Sequence, residues 1–221
     1  MSANQRNLHI GKSSGNFDRC VIDIGCCDTG HRGKFFKSKF NLPVIFIDAD
    51  QIALHRLQVS TDDLIINAAI SCRNGIARFN IYPHQGTNSL CEVDLDNATL
   101  WKIGNRLSVQ DDWICKEVNL VPMITLGDII ETLQIQEIVA LKIDTQGHDF
   151  EVIRGLARHF EKVNYIELEV QIVPNELYKN SSKKDEVVSF LTDKGFDLTH
   201  EDYQSQGQEQ NLYFLQKGKT I

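Results

Sequence analysis

Val21-Ile22-Asp23-Ile24-Gly25-Cys26-Cys27-Asp28-Thr29-Gly30 is an apolar run that breaks into a loop of small residues. Val and Ile without alternation suit a strand buried on both faces of a parallel sheet. The two glycines suit a loop whose backbone approaches a ligand at the strand's carboxyl end. Next comes Gly33–Phe40, in which Phe35, Phe36, Lys39 and Phe40 are spaced for one helix face. A strand, a glycine loop and a helix in that order begin a Rossmann-like α/β domain. The spacing is G-x-x-x-x-G and not G-x-G-x-x-G, so the pyrophosphate fingerprint of dinucleotide enzymes is missing. The loop suits a ligand without phosphate here, held by backbone groups around Gly25, Thr29 and Gly30 and by the Asp23 carboxylate.

Working outward, four more apolar runs follow at Val44–Ile47, Leu64–Ile70, Ile138–Ile143 and Tyr165–Val170. Ile52, Leu54, Leu57 and Val59 suggest a short helix after the second run. Phe150, Val152, Ile153, Leu156 and Phe160 give an amphipathic one after the fourth. Alternating strands and helices predict a parallel sheet with right-handed crossovers. Residues 71–125 interrupt this rhythm: Ala77–Tyr82 alternates like an edge strand and Glu117–Ile124 reads as extended. Thr125 and Asp128 resemble a capping box for a helix at Leu126–Leu133. The stretch 83–115 is expected to be a substrate-binding insertion in a single domain spanning 1–221. At the C-terminus, Asp185–Lys194 reads as a helix ended by Gly195. Phe196–His200 and Leu212–Gln216 then form an antiparallel hairpin.

The strand tips carry the candidate binding residues. Asp48 ends the second run, where a carboxylate can accept hydrogen bonds from both ribose hydroxyls; its neighbour Asp50 suits a helix N-cap. Ala49 adjoins it. Asn67 and Ala68 close the third run, with a small residue leaving a slot for an adenine ring and Asn67 placed to read its edge.

These segments, in this order, resemble the FkbM family of methyltransferases from about Val21 to Val170. The glycine loop and Val44–Asp50 are similar to its first two motifs, with Asp48 standing where the family usually has Glu. Asn67-Ala68-Ala69-Ile70 with Arg73-Asn74-Gly75, Asn88-Ser89-Leu90, and Val121-Pro122 through Thr125-Leu126-Gly127-Asp128 resemble three further motifs. The strongest likeness is Leu141-Lys142-Ile143-Asp144-Thr145-Gln146-Gly147-His148-Asp149-Phe150-Glu151-Val152-Ile153-Arg154-Gly155, against the family's K-I-D-x-E-G-x-E-x-x-V-L-x-G. Gln146 replaces the usual Glu there, and His148 stands where a small residue is usual. The resemblance implies a Rossmann-like class I methyltransferase fold, a mostly parallel sheet finished by an antiparallel hairpin. It also implies transfer of a methyl group from S-adenosylmethionine to a hydroxyl oxygen, with sugars or polyketide-type products as acceptors and a sugar or glycan preferred.

Such a transfer needs an acceptor oxygen aligned behind the methyl carbon and relieved of its proton. Asp144, ending the fourth run, is a candidate to orient the acceptor or serve as base. His148, with a near-neutral ordinary pKa, is a second candidate base, or a surface residue at a helix start. Asp144 with Glu169 on the fifth run could ligate Mg²⁺ or another divalent metal. Lys142 reads as a structural partner of a carboxylate, and Trp101 and Trp113 as either a sugar platform or core. Two other classes compete: a metal-dependent enzyme acting on polyketides or small phenols, and a non-catalytic domain that binds an adenosine ligand.

The totals are those of a soluble globular chain: 221 residues, 42% hydrophobic, 24% charged and net charge −7. That charge argues against nucleic acid as a partner, and the basic run His31, Arg32, Lys34, Lys37 and Lys39 reads as a solvated helix face. No run approaches the roughly 20 apolar residues of a membrane span, and Met1–Gly15 is polar. The six cysteines lack zinc or C-x-x-C spacing and read as reduced, mostly buried thiols. The expectation is a cytoplasmic protein, monomeric or homodimeric.

Overall fold

A computed structural model describes residues 14–84, 86–172 and 176–221. Most of the polar N-terminal stretch lies outside the described residues. In chain order the elements begin β1 (Arg19–Ile24), α1 (His31–Phe40), β2 (Val44–Asp48), α2 (Gln51–Arg56), β3 (Leu64–Asn67), β4 (Ala69–Ile70) and β5 (Gly75–Ile81). Then come α3 (Leu95–Ala98), β6 (Lys102–Ile103), β7 (Arg106–Leu107), β8 (Glu117–Ile124), α4 (Leu126–Thr132) and β9 (Glu137–Ile143). The chain closes with α5 (Asp149–Arg154), β10 (Tyr165–Gln171), α6 (Lys184–Asp193), β11 (Phe196–Gln204) and β12 (Glu209–Gln216).

Seven strands form the main sheet in the order β11-β12-β10-β9-β1-β2-β3. Pairing is parallel from β3 through β10 and antiparallel at β10/β12 and β12/β11. This is the mostly parallel Rossmann-like sheet with an antiparallel terminal hairpin that the sequence implied. The apolar runs explain why. Ile22, Ile24, Ile45 and Ile47 point into one hydrophobic cluster, while Val21, Val44 and Phe46 point into another on the opposite face. Each such buried side chain contributes about 1.5–3 kcal/mol, so a strand apolar on both faces is stable only inside the sheet. The chain runs outward from β1 to β3 and then crosses back to β9 on the other side of β1. That reversal opens a crevice at the strands' carboxyl ends.

Two expectations about the elements are corrected. The third apolar run is not one strand: β3 leaves β2 after Asn67, and β4 pairs with β8 in a separate sheet ordered β4-β8-β5. Asn67 Nδ2 donates to the carbonyls of Asp48 and Ala49 at 3.0 and 3.2 Å, closing the ladder at that point. The segment expected as an edge strand, Ala77–Tyr82, falls in β5, which is the edge of that second sheet and pairs antiparallel with β8. Helix α2 is also shorter than the apolar spacing suggested: Val59 lies beyond its end, and Ile52 within it faces solvent. Asp50 caps its start and Leu57, in an extended conformation, ends it. Trp101 and Trp113 are core residues, each 4% exposed and packed edge to face, with Tyr82, Val93, Leu177 and Tyr178 around them. The six thiols are free, but only Cys20 and Cys26 are buried. Among the described residues, no helix is long and apolar enough to cross a membrane.

Candidate active site

Gly25 follows β1 with φ +69, and a Cβ there would overlap the Asp144 carbonyl oxygen, so the two strand ends meet only because this residue is glycine. Beyond it, the Cys27 N–H donates to Asp48 Oδ2 at 2.8 Å, and the Asp50 N–H donates to Asp48 Oδ1 at 2.8 Å. Burial pushes the Asp48 carboxyl up to about 6, with these two hydrogen bonds opposing. Asp50 Oδ1 accepts from the Ile52 and Ala53 N–H groups, and its Oδ2 accepts from Asn88 Nδ2 at 3.0 Å. The last contact ties the insertion to α2 across the cleft.

Gly25, Asp48, Ala49, Ala68, Asp144 and His148 thus line one cleft of about 900 Å³, open to solvent. Ala69, Ile70, Phe79 and Leu90 form its apolar wall. The remaining sequence-predicted binding residues are not in this lining. Asp23 is buried beneath it, accepts from the Gly33 N–H at 2.8 Å and lies 3.8 Å from Lys142 Nζ. Burial raises its pKa, while Lys142 opposes the shift. Gly30, at φ +54, packs under Phe46 and Leu57; Thr29 is exposed; Asn67 spends its amide on the strand-end carbonyls.

On the other wall, Lys142 Nζ donates to Asp144 Oδ2 at 3.1 Å and Gln146 Nε2 donates to Oδ1 at 2.7 Å. Gln146 Nε2 also lies 3.5 Å from Glu169 Oε2. Gln146 and Gly147 both have positive φ, and the Ser89 hydroxyl pins this turn by donating to the Gln146 carbonyl at 2.6 Å. A Cβ on Gly147 would come within 2.9 Å of Tyr178 Cβ. His148 Nε2 sits 3.0 Å from Ser71 Oγ, and burial lowers the His148 pKa, favouring the neutral ring. Asp149 is buried against the Thr145 hydroxyl at 3.1 Å, and its carboxyl is pushed up to about 7 by burial and then by Asp144. Burial, Asp144 and Glu209 push Glu169 well above the carboxylate range.

This donor set does not fit a divalent metal. The Lys142 ammonium already lies against Asp144 Oδ2, where it repels a second cation, and Gln146 turns its amide N–H, not its carbonyl oxygen, toward Asp144 and Glu169. Among the described residues no group of three or more His, Cys, Asp or Glu side chains converges as a metal site. The metal expectation for Asp144 and Glu169 is therefore unsupported.

The family model for the methyltransferase FkbM domain matches residues 37–198, well over half of the chain. The chain belongs to the FkbM methyltransferase family. No individually curated protein matches it. The family match covers β2 through the start of β11, and so includes both walls of the cleft apart from the Gly25 loop. Within this FkbM methyltransferase, sequence reasoning missed Asn88, Phe79 and Asp149 as site residues. Asn88 stood in a quoted motif, but its partner Asp50 is 38 positions away. Asp149 stood in the strongest motif without a role, and its burial and raised pKa come only with the fold.

Proposed function

We propose that this chain transfers a methyl group from S-adenosylmethionine to a hydroxyl oxygen, with a sugar or glycan as acceptor. The observation that supports it most is the convergence of the Gly25 backbone, Asp48 and Asp144 on one cleft at the sheet's reversal point. The Gly25 backbone would hold the cofactor's amino-acid end, Asp48 its ribose, and Ala68, Phe79 and Leu90 its adenine. When bound it supplies an electrophilic methyl on a sulfonium. The chain's own residues do the rest. Asp144, held at both oxygens, offers a fixed acceptor for the hydroxyl proton at the cleft's inner end. His148, neutral and in the same wall, is the second candidate for that proton. Asn88 and Ser89 tie the segment between β5 and α3 to the cleft's two walls.

Calorimetric titration with S-adenosylhomocysteine and with NAD tests the cofactor. Binding of the first alone is expected, and binding of NAD alone would sink the reading. Transfer of labelled methyl to neutral glycosides then tests the reaction. Cofactor binding without transfer to any hydroxylated acceptor would favour a non-catalytic adenosine-binding domain.

A further inference from the structure

Lys142 stands in a row of charges that crosses three strands. Its register partners are Asp23 on β1 and, on the other side, Glu167 on β10. Glu167 is closed to it, because both of its oxygens accept from the Arg32 guanidinium on α1. Asp23 is open. This carboxylate is 1% exposed, and its Oδ2 accepts from the Gly33 N–H at 2.8 Å. Its Oδ1 makes no hydrogen bond, although Lys142 Nζ is only 3.8 Å away. The Gly33 contact fixes the carboxylate, so the flexible lysine stem is the part that can close the gap.

Lys142 instead leans toward the cleft. Its Nζ donates to Asp144 Oδ2 at 3.1 Å and to the Gly25 carbonyl at 3.4 Å, while Gln146 Nε2 donates to Asp144 Oδ1 at 2.7 Å. Both oxygens of Asp144 therefore face donors. An ionised carboxylate accepts from both, but a protonated one carries an O–H that must itself donate. A proton arriving at Oδ2 sets donor against donor. Gln146 is braced from behind, its carbonyl accepting from the Tyr178 hydroxyl at 3.2 Å; Lys142 has an empty acceptor within reach. The other acids around Lys142 are already engaged, Asp48 by the Cys27 and Asp50 N–H groups, Asp149 by Thr145 and Glu169 by Gln146. The nearby Cys26 thiol is kept neutral by burial.

We propose that Lys142 is a positioning residue with two seats: it holds Asp144 while that carboxylate is ionised, and crosses to Asp23 when Asp144 takes the proton of the methyl acceptor. This rests on the methyl-transfer reading above and adds how the surroundings of the base respond during turnover. The acceptor oxygen bonds to the methyl carbon as the bond from the sulfonium sulfur breaks, and the acceptor's proton passes to Asp144. Lys142 keeps its own protons throughout and changes only its partner. Its departure removes the cation that favours the ionised form of Asp144, so the captured proton is held more firmly. Loss of that proton to solvent draws Lys142 back and resets the site.

Asp144→Asn puts a neutral group with both a donor and an acceptor at the base, as a protonated carboxyl does. In a crystal structure of this variant, Lys142 Nζ is expected within about 3.2 Å of Asp23 Oδ1 and beyond about 3.5 Å from the side chain at position 144. Hydrogen exchange at the Lys142 ammonium, followed by nuclear magnetic resonance with labelled lysine, should stay within about threefold of wild type in Asp144→Asn and quicken about tenfold when Asp23→Asn is added. Asp23→Asn alone, which keeps an acceptor for the Gly33 N–H, should change that exchange less than about twofold, since the first seat is intact. An ammonium still beside position 144, fast exchange in Asp144→Asn, or fast exchange in Asp23→Asn alone would each overturn the proposal. The last of these is decided even where Asp144→Asn does not fold. None of the readings needs cofactor, so failure of the wild-type protein to bind S-adenosylhomocysteine counts against the methyl-transfer reading while the seats of Lys142 are still decided.

Discussion

On the β2 side of the cleft, Asp48 and Asp50 take most of their hydrogen bonds from backbone N–H groups of the loops around them. On the β9 side, Asp144 and Glu169 depend on the side chains of Lys142 and Gln146, and Asp149 accepts from the Thr145 hydroxyl at 3.1 Å beside longer contacts with the Thr145 N–H. Backbone donors are fixed in place by the fold and carry no proton that pH can remove. Side-chain partners can be tuned residue by residue, and they leave a crowded acidic wall whose protonation depends on its single buried ammonium. One wall therefore suits rigid recognition of a constant ligand, and the other suits chemistry on an acceptor.

The largest expected effect separates the two walls by function. Asp144→Asn should lower the rate of methyl transfer by about 10²–10⁴-fold while leaving S-adenosylhomocysteine affinity nearly unchanged. Asp48→Ala should do the reverse, weakening that affinity about 10–100-fold through loss of charge-assisted hydrogen bonds. Single-turnover rates and calorimetry read both, and equal loss of cofactor affinity in the two variants would erase the distinction.

Next in size is Lys142→Met, which strips the acidic wall of its cation. Breaking a buried pair of this kind costs about 3–5 kcal/mol. The Lys142 pKa is raised by Asp144 and Asp23 against the lowering effect of burial, so the wild-type contribution persists across the working pH range. Urea unfolding should show a loss larger at about pH 8 than at about pH 5, where Asp149 and Glu169, both raised by burial, are more fully protonated. A loss independent of pH would mean that Lys142 acts by packing alone.

Asp149→Asn should have a smaller effect of opposite sign. Because the folded pKa is raised to about 7 from 3.8, the Asp149 contribution is complete below 3.8 and is lost as pH rises through about 7. The variant has no such proton to lose and keeps an acceptor for the Thr145 hydroxyl. Its stability relative to wild type should therefore improve by about 1–3 kcal/mol between pH 5 and pH 8, or about 3–8 °C in melting temperature. A difference that stays flat with pH would place the charge of Asp149 elsewhere. The smallest effect is expected from a chelator: methyl transfer should survive it unchanged, because Asp144 is held by Lys142 and Gln146. Loss restored by Mg²⁺ would overturn that account of the β9 wall.

How much was legible follows the same division. The β2 wall could be read from spacing, since Gly25, Asp48 and Ala68 sit at strand ends that apolar runs mark out. Asp23, Thr29, Gly30 and Asn67 shared those motifs and were expected to bind, yet two are buried under the loop, one faces solvent and one closes a ladder. A motif gives the position along the chain but not the direction of the side chain. The β9 wall was legible only as a string, Lys142 to Asp149, whose partners Ser89, Glu169 and Tyr178 arrive from other elements.

By itself the sequence determined the alternation of strands and helices, the terminal hairpin and the family. Those rest on apolar periodicity and short-range motifs, which local backbone geometry and burial enforce wherever they occur. Tertiary structure alone decided which carboxylates meet, that the third apolar run divides between two sheets, and that Asp23 lies beneath the cleft beside Lys142. These depend on contacts between residues distant in the chain, where desolvation and hydrogen-bond geometry act only once the elements have packed.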